Sequence, residues 1–518
     1  MAKVGDRRWW AVGALALALL VVGLDATVLN LALPTLSTDL HASTTDLQWI
    51  VDAYTLAMAA MLLPGGLLGD RYGRRIFLVI SLVVLGASSL WCAYTTSPGQ
   101  LIAARVVLGL GAAFVLPLSL SVLPVLFSEE ERGRAVIVLV GMTVVAYPLG
   151  PLLGGWLLTH YWWGSVFLIN VPVSALAVVA VAVLLPESRS ERRPDLDMTG
   201  ILGSSVALAA LTYGAIEAGQ KGWSNLGSVL PMLFGAVVLA GFVEWERRLG
   251  RRPDGQPLVD LRLFRSRTFS WGTLLATLVS FAMFGLLFAV PQYFQGVRGT
   301  DAMGAGIRLL PMIAGLVVGG AVADRLTAGV GAKMTIAAGF ALMAAGLFAG
   351  ATTGFHSGEG FTAGWVALLG AGLGLALPGS MNAALAVLSA EGSGVGSALI
   401  TAIRTVGGTF GVALLGSVIN SGYRGRLNLT GLPAPAADAA RRSVLSGTAV
   451  ARKLHSPALL HSVRSAFIHG MDVMLVACGL IAVAGMVLAL LFVPRGPSQR
   501  EKELADPSRQ SEMAQGRH

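Results

Sequence analysis

Cysteine, charge and histidine are all scarce in this 518-residue chain. The two cysteines, Cys92 and Cys478, both fall inside apolar runs, so no disulfide framework is available. Charged residues make up 13%, about half the usual share, which excludes an ordinary soluble domain. The seven histidines fall in expected loops, at one outer helix end or in the tail, leaving no metal cluster inside an apolar segment. No serine or cysteine nucleophile has a histidine partner at the same depth. A G-x-x-x-x-G-K-[ST] loop is missing too, so ATP is not the energy source. Enzymatic chemistry and cofactors are therefore not expected.

Hydrophobic residues are abundant, at 55% with mean hydropathy +0.72. A membrane-spanning helix needs about 20 apolar residues. Fourteen segments qualify, near 10–33, 47–68, 76–95, 101–126, 135–158, 165–185, 199–217, 228–245, 269–294, 304–323, 334–353, 362–387, 395–419 and 467–493. Lys3, Arg7 and Arg8 precede the first run, which is too long for a signal-peptide core and reads as an uncleaved span. With the N-terminus inside, cytosolic segments carry 25 of the 37 basic residues, so both termini are expected in the cytosol. That asymmetry accounts for most of the net charge of +9 without a nucleic-acid partner. The excess of arginine over lysine, with much alanine and glycine, suggests a GC-rich bacterial source and hence the bacterial cytoplasmic membrane.

The chain repeats itself faintly. Gly65-Gly66-Leu67-Leu68-Gly69-Asp70-Arg71 after the second span returns as Gly319-Gly320-Ala321-Val322-Ala323-Asp324-Arg325 after the tenth. Two related six-span halves follow, at 1–185 and 269–494, with spans 7 and 8 inserted within a linker at 186–268. Repeated halves with a site between them at the bilayer midplane are the plan of secondary transporters. The stretch 257–264 in the linker is amphipathic enough to lie on the membrane surface. The tail 495–518 has a disordered composition. Loop 420–466, external and basic, reads as a folded cap or, more simply, a solvated connector.

Charged side chains inside a span cost about 2.5–3.5 kcal/mol each on insertion scales and ask for a reason. Asp25 lies about 12 Å, Asp52 about 8 Å and Arg105 about 6 Å from the outer ends of their spans, at heights that allow interaction. Burial raises a carboxyl pKa and a neighbouring arginine lowers it, so such a set can take up and release a proton. The alternative for these residues is a static buried ion pair.

The run from Gly65 through Asp70-Arg71-Tyr72-Gly73-Arg74-Arg75 resembles the signature loop of major facilitator superfamily transporters. Further motifs resemble the fourteen-helix drug:proton antiporters within it. These are Leu24-Asp25-Ala26-Thr27-Val28-Leu29-Asn30-Leu31-Ala32-Leu33-Pro34, Arg105-Val106-Val107-Leu108-Gly109-Leu110-Gly111, and Gly141 with Gly150-Pro151-Leu152-Leu153-Gly154-Gly155. Trp49-Ile50-Val51-Asp52-Ala53-Tyr54, Phe167-Leu168-Ile169-Asn170-Val171-Pro172 and 257–264 match as well. The resemblance implies an all-α membrane fold and expulsion of lipophilic drugs, biocides or antibiotics by inward proton flow, with a monomer as the family norm. Asp25, Asp52 and Arg105 would couple protons. Gly66, Asp70, Arg71, Gly73 and Arg74 would form a cytosolic latch, and the fifth-span motif would mark an exporter. Some relatives that export dications carry acidic residues in spans 10 and 13; this chain has none in 309–316 and has Arg404 in 397–404. Monocations or neutral molecules are therefore the better expected substrates. Asn30, Phe284, Gln292, Tyr293, Asn382 and Arg404 are candidate cavity residues, each also readable as packing, with Arg404 evenly balanced between the two.

Overall fold

A computed structural model describes residues 2–127, 129–189, 197–252, 257–259, 261–355, 357–385 and 393–493. The chain is all-helical, and no strand occurs among the described residues. The first half comprises α1 (Ala2–Asp39), α2 (Thr44–Tyr72), α3 (Arg74–Ala93), α4 (Pro98–Leu126), α5 (Glu129–His160), short α6 (Ser165–Leu168) and α7 (Asn170–Leu184). An inserted pair follows, α8 (Met198–Lys221) and α9 (Leu226–Leu249). The second half contains α10 (Arg267–Gln292), α11 (Ala302–Val330), α12 (Ala332–Gly350), α13 (Glu359–Leu385) and α14 (Ser393–Arg426). It ends with α15 (Ala434–Arg442), α16 (Val444–Lys453) and α17 (Pro457–Phe492).

Twelve of these helices, among the described residues, are long and apolar enough to cross a membrane. The other two expected spans, 47–68 and 135–158, lie on α2 and α5. Span 165–185 is interrupted at Ile169, which divides α6 from α7.

Packing in one half is repeated in the other. Helix α1 packs on α5 as α10 packs on α14, α2 on α4 as α11 on α13, and α3 on α7 as α12 on α17. The halves meet along two equivalent seams, α2 against α14 and α5 against α11. Small residues permit these approaches, as they do where apolar burial cannot drive helices together. A Cβ on Gly150 of α5 would lie 1.9 Å from Thr27 Oγ1 on α1, and one on Gly155 would lie 2.9 Å from Met303 Cα on α11.

The inserted pair is asymmetric. Helix α8 packs against α14 and α2, and Ser417 Oγ donates to the Ala215 carbonyl at 2.7 Å. Helix α9 turns Leu226, Leu230, Leu233, Phe234 and Val237 outward. At the linker, the Val259 amide donates to Glu246 Oε2 at 2.9 Å, and Trp245 Nε1 donates to Asp197.

Segment 420–466 is folded, against the simpler expectation of a solvated connector. Helices α14 and α17 extend into it and α15–α16 fill the remainder. Ala440, Val444, Thr448 and Ala451 are buried, and the Tyr423 hydroxyl donates to the Ala440 carbonyl at 2.7 Å. Its seven basic residues give the segment a solvated composition, yet its alanines and valines supply one apolar face per short helix, enough to pack on the bundle.

Candidate functional site

Asp25 and Arg105 come together in the first half. Arg105 Nη1 on α4 donates to Asp25 Oδ2 on α1 at 2.5 Å, and both side chains are almost wholly buried. Arg105 Nε donates to the Ile50 carbonyl at 3.0 Å, and its guanidinium carbon lies 4.2 Å from the centre of the Tyr54 ring. Asn170 Nδ2, on the first residue of α7, reaches Asp25 Oδ1 at 3.4 Å and Ser89 Oγ at 3.5 Å. Four helices and the break before α7 thus converge on one charge pair. A buried pair is tolerated when its remaining donors and acceptors are also matched, which the carbonyl, the ring and the amide do here.

Asp52 is apart from that pair. Ile50 and Tyr54 put one face of α2 toward Arg105, and Asp52 lies roughly 200° around the helix from each. Its stripe includes Gln48 and Thr55, which face α14 across the seam. Gln48 Nε2 donates to the carbonyls of Val412 and Ala413 at 3.3 and 3.1 Å, and Thr409 Oγ1 donates to Thr55 Oγ1 at 2.8 Å. Asp52 is 0% exposed, and neither carboxylate oxygen has a hydrogen-bond partner among the described residues.

Further contacts tie the halves together at one end. Ser37 Oγ and Ser443 Oγ are 2.6 Å apart, Thr44 Oγ1 donates to the Arg442 carbonyl at 2.7 Å, and Gln295 Nε2 donates to the Leu31 carbonyl at 3.1 Å. Nearer the other end, Met58, Met61, Phe281, Phe284, Met381 and Arg404 are only half-buried, and Asn382 is exposed.

The remaining candidates occupy different depths. Asn30 is buried in α1, while Gln292 and Tyr293 are buried at the start of a π-helical turn over Tyr293–Val297. Gln292 Nε2 bonds back to the Phe288 carbonyl at 2.9 Å. Phe284 touches hydrophobic clusters of both halves. Arg404 Nε donates to Ser280 Oγ at 3.2 Å, and its Nη1 lies 3.0 Å from Met381 Sδ, so it joins α14 to α10 and α13. Gln292 and Tyr293 are thus separated from Asn382 and Arg404.

At the α2–α3 turn, Gly73 adopts φ +132, a conformation that side chains disfavour. The Arg74 amide donates to the Ser188 carbonyl at 3.0 Å and the Arg75 amide to Glu187 Oε1 at 3.3 Å, so the segment after α7 clasps this turn. Gly66 and Arg71 lie on the last turns of α2. The surroundings of Asp70, Gly141 and Pro151 lie outside the described residues. Gly154, one turn after Gly150, packs on Val28 of α1.

Asn170 and Tyr54 were not singled out in the sequence. Their signal was a polar or hydroxylated residue inside an otherwise apolar motif, Asn170 in 167–172 and Tyr54 in 49–54.

The family model described as Major Facilitator Superfamily matches residues 15–412. A tetracenomycin C resistance and export protein of Streptomyces glaucescens is 32% identical over 509 residues, covering 96% of this chain and 94% of its own length. A methyl viologen resistance protein of Salmonella typhimurium is 33% identical, covering 94% and 99%. A multidrug resistance protein of Mycobacterium tuberculosis is 32% identical, covering 78% and 75%. Among solved structures, a bacterial homologue of the lysosomal transporter Spinster, in an inward-facing conformation, superposes with TM-score 0.66 at 18% identity, covering 94% and 98%. A D-xylose-proton symporter gives TM-score 0.61 at 15% identity, covering 94% and 98%.

Proposed function

The chain belongs to the major facilitator superfamily, and on that premise we propose that it is a proton-coupled antiporter exporting small lipophilic drugs, biocides or antibiotics. It is a multi-pass transporter of the bacterial cytoplasmic membrane and not an enzyme. The proposal takes the chain as fourteen spans in two bundles, 1–185 and 269–494, with both termini in the cytosol.

The observation that carries the coupling is the buried Asp25–Arg105 pair. In the proposed cycle, a proton entering from outside neutralises Asp25 and frees Arg105 from its charge-assisted bond. Arg105 is also held by the α2 backbone at Ile50, so its release loosens α1, α2 and α4 together. Asp52, at the α2–α14 seam, is the second proton-coupling carboxylate, and its access changes when that seam parts. Energy is sufficient: one inward proton supplies about 2.3 kcal/mol per 100 mV and about 1.4 kcal/mol per pH unit. Two hundred millivolts of combined driving force would sustain a gradient of roughly three orders of magnitude.

The turn at Gly66, Asp70, Arg71, Gly73 and Arg74 acts as the cytosolic latch, and the α5 glycines allow the halves to rock closely packed. The proposed substrate path runs past half-buried Phe284, Met381 and Arg404, where a cation in the second half disfavours dications. Monocations and neutral molecules are the proposed substrates.

A second reading, export of a single endogenous product, is favoured by the full-length likeness to a tetracenomycin C resistance and export protein. Everted vesicles acidified inside, with a fluorescent pH reporter, test both. Proton release on adding several lipophilic monocations or neutral antibiotics supports the broad antiporter. Release with one compound alone supports the dedicated exporter, and release with none despite measurable substrate uptake removes the proton coupling.

A further inference from the structure

At the end of the second half that faces the α15–α16 cap lies a cavity of about 420 Å³, lined by arginines from three separate segments. Arg298 follows the π-helical turn, Arg308 is on the second turn of α11, and Arg464 is on the second turn of α17. A fourth arginine approaches from α16. A Cβ on Gly299 would lie 3.8 Å from Nη2 of both Arg452 and Arg464, which brings those two guanidinium groups close to one another. His461 completes the wall, stacked on Phe355 with ring centres 5.2 Å apart.

Opposing charge is short. Glu359 lines the cavity and pairs with Arg308. Asp301, beside Arg308, is committed to capping α11 by accepting from the Gly304 amide at 2.8 Å. Arg298 is anchored by the carbonyls of Phe355 and Ser357 at 3.3 and 3.0 Å and shares with Arg308 the single carboxylate of Glu359. Arg464 Nε is buried and makes no hydrogen bond among the described residues. Several guanidinium groups held together around a cavity repel one another unless an anion sits between them. Their planar forks match tetrahedral oxyanions better than ammonium groups do.

We propose that this cavity binds a phosphate-type oxyanion, carried either by a lipid headgroup or by a small solute, with Arg464 as its central ligand. The volume leaves room for an ester substituent beyond the phosphate itself. Neither Asp25, Arg105 nor the seam between halves takes part, so the site is independent of the transport reading.

The test uses the full-length protein in two settings. In detergent, inorganic phosphate is titrated against thermal unfolding, with potassium chloride at equal ionic strength as control. In nanodiscs of phosphatidylcholine containing a minor share of phosphatidylglycerol, retained lipid is counted by native mass spectrometry. Saturable stabilisation by phosphate, or selective retention of phosphatidylglycerol, is expected. Arg464→Gln should weaken either response at least tenfold. Glu359→Gln, which removes the carboxylate lining the cavity, should strengthen it several-fold, and carries the test if Arg464→Gln does not fold. A phosphate response without lipid retention identifies a free oxyanion, and the reverse identifies a headgroup. Absence of both, or responses unaltered by both substitutions, overturns the proposal.

Discussion

In the first half the buried Arg105 meets a carboxylate; in the second, on α14 and nearer the opposite end, Arg404 meets a serine hydroxyl and a methionine sulfur. The two halves repeat each other's helix packing, so the difference lies in side chains and not in architecture. Arg105 is 1% exposed and held by a carboxylate, a carbonyl and an aromatic ring, whereas Arg404 is half-buried. One half therefore holds a buried charge pair in a closed environment, and the other carries a half-buried cation. On the proposed function, a duplicated scaffold divides energy coupling from substrate contact without changing its fold.

Substitution of the two arginines sharpens that contrast most strongly. Arg105→Ala leaves Asp25 buried without its partner and should destabilise the protein by about 3–5 kcal/mol. Arg404→Ala removes the bond to Ser280 Oγ and the contact with Met381 Sδ and should cost about 1–2 kcal/mol. Thermal unfolding in detergent, read by a fluorescent size-exclusion assay, separates the two; equal losses would erase the distinction.

A covalent clamp at the capped end should come next. Ser37 Oγ and Ser443 Oγ are 2.6 Å apart, so Ser37→Cys with Ser443→Cys is placed to form a disulfide. Oxidation should reduce transport at least tenfold and reductant should restore it, because alternating access requires that end to open. Full activity of the oxidised, cross-linked protein would mean that the cap does not move in the cycle.

Smaller effects separate the helix contacts. Gly150→Ala forces a Cβ against Thr27 and should cost about 1–3 kcal/mol. Gly13→Ala on the same helix as Thr27 meets nothing within 4 Å and should be neutral or stabilising by up to about 1 kcal/mol. Smallest of all, Ser417→Ala removes one bond from the α8 contact and should cost about 1 kcal/mol, with transport unchanged.

Much of the architecture was legible because lipid allows few solutions: long apolar runs must be helices, and the duplicated motif at Gly65 and Gly319 implied duplicated packing. The pairing of Asp25 with Arg105 was legible as well, since two opposite charges at similar depth in one bundle have strong reason to meet. The direction of Asp52 was not. Depth along a helix follows from counting residues, but facing depends on which neighbours the helix meets, and those were α4 on one side and α14 on the other. The cap was hidden for another reason. Its helices of 9 and 10 residues are too short to be stable alone and exist by packing on the bundle end.

The account turns on Asp25 as the coupling carboxylate, and Asp25→Asn in proteoliposomes tests it most directly. Two rates are measured on one preparation: substrate uptake driven by a pH gradient, and substrate exchange with no gradient. The gradient-driven rate should fall at least tenfold while exchange stays within about twofold of wild type, because the substrate path survives and only the proton site is lost. Gradient-driven uptake at the wild-type rate would show that the proton is carried elsewhere and that the Asp25–Arg105 pair is a structural clamp.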